Sequence, residues 1–299
     1  MRIKIQNLKN KNTSVNNSQQ PEKITKKTFF ALLDLTFSDP RWFEKNVQKF
    51  FDDVKKQRFA DDQAVLIKLE NIGKKFSNGE GGTQVLFNDV NVVVKRGDVI
   101  SLIGANGAGK STLLDIVVGY QKPSSGAVSY SFKYDYSPTE KMGVSYQKNN
   151  LLSSLTVWDY IIFSHRLYKS RTSLRDLVVF VYAFGIEKFC KMKVQKLSGG
   201  QQQRLNAMLS LFHDPEIILL DELCNNLDMT IKTKIVKFIK QYITVKNITG
   251  IIISHDLFEI GNLSNRVLVI KNQRIKIDET TKNAIKKYKG LDKLVAASM

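Results

Sequence analysis

The chain has 299 residues, 42% of them hydrophobic, and a formal net charge of +18. That much apolar material supports one large core with an appendage, and no apolar run reaches the ~18 residues needed to cross a bilayer. The opening MRIKIQNLKNKNTSVNNSQQ has no apolar segment of signal-peptide type, so the expectation is a chain neither secreted nor integral to a membrane by its own sequence.

Residues 1–27 are rich in Asn, Gln, Lys and Ser with few large apolar groups and are expected to form a disordered basic tail. They carry seven basic residues against Glu22, a net of +6, and residues 269–299 add a net of +5, so more than half of the excess charge sits in the flanks. That pattern fits solvated tails or attraction to anionic headgroups. No nucleic-acid-reading motif accompanies it, and nucleic acid is not expected as a partner. Residues 28–60 are expected to be an amphipathic helical extension. Asp39 suits a helix N-cap and Pro40 the first helical position, while Phe43, Val47, Phe50 and Val54 recur at helical spacing. The stripe needs a partner surface: either the chain's own main domain or a membrane surface or membrane partner.

From about Ala64 the pattern changes. AVLIKLENI and QVLFNDVNVVVKRGDVISLIG are rich in β-branched residues and broken by turns, as for antiparallel strands leading into a buried strand. A glycine-rich turn and a helix, KSTLLDIVVGY, follow. The section from Thr156 to about Lys196 is helical in period, and further strands appear at EIILL, TGIIIS and RVLVIKNQRIKID. Strands alternating with helices imply a parallel sheet covered by helices. The fold class expected is α/β: a mixed parallel sheet, an N-terminal antiparallel β subdomain and a helical subdomain at about 150–197. The main domain is placed at 64–280, and 281–299 is read as a basic C-terminal helix or tail. Cys190 and Cys224 lie far apart, give no zinc or disulfide signal, and read as packing residues of a chain in a reduced compartment.

GANGAGKST, Gly104 to Thr112, matches G-x-x-x-x-G-K-[ST] after a strand and at a helix start. Glycine lets the backbone N–H groups approach phosphates closely, Lys110 reaches the β- and γ-phosphates, and the Ser111 hydroxyl suits Mg²⁺. In LLDELCNNLD, Asp221 ends an apolar strand, where it can hold the Mg²⁺ shell beside Ser111. Glu222 is then placed to orient and deprotonate the water that attacks the γ-phosphate. LSGGQQQR, Leu197 to Arg204, opens a second anion-binding helix terminus. One ATP does not need two cradles in one chain, so the second points to a nucleotide held by another copy or a partner.

With these motifs in order, the α/β core is expected to be that of a P-loop NTPase, and residues 64–280 resemble the ATP-binding cassette family. The resemblance makes Gly104, Asn106, Gly107, Gly109, Lys110, Ser111 and Thr112 the Walker A loop, and Phe76 the aromatic that stacks on adenine. Gln147 becomes the Q-loop residue that senses Mg²⁺ and the attacking water. Ser198, Gly199, Gly200 and Gln201 become the signature that binds the opposite subunit's ATP, Asp228 the D-loop aspartate and His255 the switch histidine at the γ-phosphate. It implies ATP and Mg²⁺, with Ser111, Gln147 and Asp221 at the metal and Glu222, His255 and Gln147 in catalysis. It implies too a head-to-tail homodimer or heterodimer, transmembrane permease subunits on separate chains, and a peripheral place at the cytoplasmic face of the membrane. Relatives usually have Pro-Thr-Ser-Gly or similar where this chain has Leu223-Cys224-Asn225-Asn226. The nearest subtype expected is the ATPase of an ABC-2 type exporter. The alternatives are an importer subunit and a soluble cassette ATPase acting on nucleic acid or the ribosome. Against the last, the chain has one cassette, and only 88 positions separate Lys110 from Ser198, too few for a long coiled-coil insertion.

Overall fold

The computed structural model describes residues 24–77, 82–146, 154–223, 225 and 227–298. Residues 1–23 of the expected tail, Gln147, Cys224 and Asn226 lie outside that set. Among the described residues nine strands form two sheets. β1 (Val65–Ser77) pairs antiparallel with β2 (Thr83–Lys95) and β4 (Ser125–Tyr130) in a three-stranded sheet. The other sheet has the order β5-β6-β7-β3-β8-β9, from β3 (Val99–Ile103), β5 (Met142–Ser145), β6 (Ile217–Asp221), β7 (Thr249–Ile253), β8 (Arg266–Lys271) and β9 (Arg274–Thr280). Its first five strands are parallel and β9 closes the edge as an antiparallel hairpin. Asn272 and Gln273, both at positive φ, make the tight hairpin turn.

Strand alternation divides the core. On β6, Ile218 and Leu220 face one way, toward the helical half of the protein, and Ile217 and Leu219 face the other, toward β1, β2 and α3 (Lys110–Val118). Both faces are covered, so β3, β6 and β7 are buried throughout, as parallel strands require. The parity matters for chemistry: Asp221, in step with Ile217 and Leu219, turns toward α3.

Two helices precede the sheets, α1 (Lys26–Ser38) and α2 (Pro40–Lys55). The first begins two residues inside the segment expected as tail, where Thr25 and Thr28 bond to each other's backbone and hydroxyl groups. Asp39 caps α2, accepting from the Arg41 N–H at 3.1 Å. Phe50 and Val54 are buried and Phe43 and Val47 half-buried, in one core with residues of the chain's own helices α4 (Val157–Leu167), α5 (Leu174–Ala183), α6 (Gly199–Leu209) and α7 (Met229–Lys246). The apolar stripe is therefore covered from within the chain. The C-terminal segment also packs. After α8 (Leu257–Leu263) and the β8–β9 hairpin come α9 (Thr281–Tyr288) and α10 (Leu291–Ser298), whose Ala284 and Leu294 are buried against Ile103, Val267 and Val269. Its charge lies on the outer side of a docked helix pair, not on a free tail.

Candidate functional site

β6, β7 and β3 are neighbours, and the segments leaving their carboxyl ends carry Glu222, His255 and the P-loop. In open α/β sheets this edge is where ligands bind. The loop after β3 turns through Gly107 (φ +79°) and Gly109 (φ +91°), in a region side chains rarely adopt. At Gly109 a Cβ would also fall within 2.9 Å of Leu86 and Phe87. Lys110 is buried, and its Nζ donates to the Gly104 and Ala105 carbonyls at 2.6 and 2.9 Å, so the ammonium lies inside the loop. Burial lowers its pKa, opposed by the charges of Glu222 and Asp221.

Ser111, one residue into α3, donates from Oγ to Asp221 Oδ2 at 2.9 Å. Burial raises the Asp221 carboxyl above its ordinary range and Glu222 adds to that, while the Ser111 hydrogen bond and Lys110 oppose it. A hydroxyl and a carboxylate converging from two elements form the hard oxygen set that Mg²⁺ takes beside a nucleotide, so the residues present fit that ion. Glu222 is at φ +53°, with its N–H on the Ile253 carbonyl at 2.9 Å. His255 is close enough to Lys110 and Glu222 to feel both charges, and its two ring nitrogens are buried without a hydrogen-bond partner among the described residues. An imidazole left open beside a buried lysine and a carboxylate is suited to a polar ligand.

The remaining predicted residues stand elsewhere. Ser198 caps α6, accepting from the Gln201 N–H at 3.3 Å, and the Gln201 side chain returns the bond to the Ser198 N–H at 2.9 Å. The Gln201 amide oxygen thus completes a capping box, a role the motif reading did not assign it. Ser198 and Gly199 are exposed at this helix start. Asp228 caps α7 through the Ile231 N–H at 3.0 Å and is exposed. Phe76 sits on β1 opposite Gln84, 42% exposed, with Lys74 over its ring. Asn106 is exposed on the P-loop and Thr112 half-buried behind it. Gln147 lies outside the described residues; Ser145 and Tyr146 before it leave the carboxyl end of β5, next to β6. Two residues that motif matching passed over also touch Glu222: Gln203 reaches its carbonyl and Asn225 its carboxylate. The run of three glutamines, Gln201 to Gln203, at the start of α6 was the available signal.

Two imidazoles make stability depend on pH. Burial lowers the pKa of His213, against the Leu209 and Met142 carbonyls that favour its charged form, and burial followed by Lys110 lowers that of His255. Below the ordinary value of 6.5 the unfolded chain takes up protons before the folded one, so stability falls as pH drops through that window. Thermal melts are expected to show a lower midpoint at about pH 5.5 than at about pH 7, and His213→Gln to flatten the difference. An unchanged slope in that variant would remove His213 as a source.

Comparison with known proteins agrees with this geometry. Residues 87–225 match the family described as ABC transporter. A spermidine/putrescine import ATP-binding protein of Spiroplasma citri is 31% identical over 215 residues, which cover 70% of this chain and 60% of that protein. A relative from Staphylococcus haemolyticus, provisionally named as a hemin import ATP-binding protein, is 34% identical over 223 residues, 71% of this chain and 99% of its own length. The ATP-binding cassette MJ0796, solved as a dimer in a post-hydrolysis state bound to ADP and Pi, superimposes with a TM-score of 0.61 at 28% identity, covering 72% of this chain and 98% of that one. A P-loop lysine, a serine–aspartate pair and a carboxylate at one sheet edge, in a sequence 34% identical to the Staphylococcus haemolyticus ATP-binding protein over 99% of that protein's length, place this chain in the ABC transporter family as an ATP-binding, ATP-hydrolysing subunit that uses Mg²⁺.

Proposed function

We propose that this subunit drives a transporter whose membrane-spanning part is a separate chain, and that it powers uptake. The observation that carries the hydrolytic reading is the convergence of Lys110, Ser111, Asp221, Glu222 and His255 at one sheet edge. In this reading the P-loop and Lys110 bind and orient the phosphates, and Ser111 and Asp221 hold the metal. Bound Mg²⁺ supplies charge neutralisation on the phosphate oxygens. Glu222 accepts the proton of the attacking water, and His255 donates toward the γ-phosphate. Gln147 completes the set at the metal and water. Phe76 stacks on adenine from the rim of the antiparallel sheet.

Ser198, Gly199 and Asp228, exposed at two helix starts, with Gly200 half-buried behind them, suit contact with a second copy or a related subunit, which would place ATP between two chains. The dimeric MJ0796 structure supports that arrangement. The exporter subtype expected from the motifs has no support among the relatives, whereas both curated relatives described above carry names that refer to import. Direction is therefore assigned to uptake.

Among the described residues no helix is long and apolar enough to span a membrane, and this reading gives the membrane span to a partner chain. A surface for it is available. Tyr120, Phe163, Leu167 and Tyr168 are 63%, 45%, 62% and 48% exposed, Tyr168 stacks on His213 at 4.2 Å, and burial raises the pKa of the Tyr168 hydroxyl, with Tyr120 and Tyr160 adding to it. Exposed apolar and aromatic side chains at the end of α4, with Tyr120 near Tyr168, fit a protein contact at the cytoplasmic face of the membrane. Purification from membranes is expected to bring down an integral membrane protein, and Phe163→Glu with Leu167→Glu to release it. Retention of the same partner by that double variant would move the docking surface elsewhere.

A further inference from the structure

Glu222 holds a backbone conformation, φ +53°, that residues other than glycine adopt rarely and keep only where the surroundings hold them. Three contacts hold it. Its N–H donates to the Ile253 carbonyl at 2.9 Å, and its Oε2 accepts from Asn225 Nδ2 at 2.8 Å. Its carbonyl accepts from the side-chain Nε2 of Gln203. The first comes from the next strand and the second from the turn that follows. The third comes from α6, whose first residues are the Ser198–Gly200 anion-binding terminus. Gln203 is only 9% exposed, so water does not readily replace its amide. Without it the carbonyl keeps one long bond, from the Asn225 N–H at 3.4 Å.

We propose that Gln203 is a positioning residue for hydrolysis: its amide ties the backbone of Glu222 to the helix that begins at Ser198. A shift of α6, when Ser198–Gly200 meet the nucleotide of a second copy, is then passed to the carboxylate that serves this chain's own nucleotide. Asn225, part of the stretch that departs from the family pattern, fixes the carboxylate end of the same residue. The inference rests on the reading of Glu222 as general base and of α6 as the contact to a second copy.

Steady-state ATPase rates and ATP binding, with thermal melts, test it on the full chain. Gln203→Ala is expected to lower kcat by about 10–100-fold with KM within about twofold, as for a reacting group held slightly out of place. Gln203→Met, apolar and of similar length, is expected to do the same, and stands in if Gln203→Ala melts near the assay temperature. Added to Glu222→Gln, Gln203→Ala is expected to change the residual rate by less than about twofold, because it acts through the carboxylate already removed. A folded Gln203→Met at the wild-type kcat would overturn the proposal, as would an equal loss on the Glu222→Gln background. A fully active Glu222→Gln single variant would instead overturn the assignment of the base, whatever Gln203 does.

Discussion

Glu222→Gln is expected to lower ATP hydrolysis by about 10²- to 10⁴-fold, the range for loss of a general base, while ATP still binds. The substitution preserves shape, and the new amide oxygen can accept the Asn225 Nδ2 hydrogen bond that Oε2 accepts now. What it removes is a proton acceptor and a negative charge. Glu222 and Asp221 are the two carboxylates that favour the charged form of Lys110, and Asp221 remains to do so. Lys110 also keeps its two loop carbonyls, so the phosphate cradle is left in place. With one less negative charge opposite the γ-phosphate, ATP affinity holds or rises, and the ATP-bound dimer accumulates because nothing discharges it. Single-turnover hydrolysis, ATP binding and gel filtration with ATP and Mg²⁺ check the three parts. Hydrolysis at the wild-type rate would show that another group takes the proton, and loss of ATP binding would show that Glu222 holds the loop together.

The parts of this site legible in the sequence are those built from neighbours in the chain. The apolar run Ile217–Leu220 followed by Asp221 announced a buried strand with a carboxylate at its end, and strand parity then aims Asp221 at α3 and Ser111. The glycines of the P-loop were readable because positive φ at Gly107 and Gly109 restricts the residue type. Contacts across long separations were not readable. Gln203 meets Glu222 from 19 positions away, and a polar residue in a helix gives no sign of which carbonyl it will reach. The apolar stripe of α2 was visible, but a stripe states only that it must be covered. KKTFFALLDLTFS fell mostly within the expected helical extension, but its helix starts at Lys26, inside the segment read as tail, where two lysines in a polar context gave no sign of a helix start. In the C-terminal flank the lysines left helix and tail both open, because Ala284 and Leu294, which anchor α9 and α10, stand at spacings too sparse to mark a stripe.

Phe50→Ala is expected to destabilise the protein by about 3–5 kcal/mol, the usual cost of emptying a buried phenylalanine site. Phe50 is 3% exposed, and its ring meets Phe180 on α5 at 5.3 Å and Phe238 and Tyr242 on α7 at 5.9 and 6.0 Å. It therefore joins three elements: the N-terminal helix pair, the helical section and the helix that Asp228 caps. Polar contacts run along the same seam. Arg175 on α5 reaches Asp53 at 2.9 Å, and Arg58 donates to the Thr244 carbonyl at the end of α7 at 2.7 Å. The ion pair is partly exposed and contributes little on its own, so the aromatic cluster dominates. The site has little freedom to collapse, because Phe180 and Phe238 pack edge to face with each other at 5.5 Å and are held in place by their own helices. Lys49→Ala, next in sequence and exposed, is expected to stay within about 0.5 kcal/mol of the parent. Urea unfolding of the three proteins measures the difference. A Phe50→Ala loss below about 1 kcal/mol would mean that α2 rests on the domain without supporting it. A loss of the expected size makes residues 24–60 part of the folded unit, so that truncation to residues 64–280 would leave Phe180, Phe238 and Tyr242 facing water.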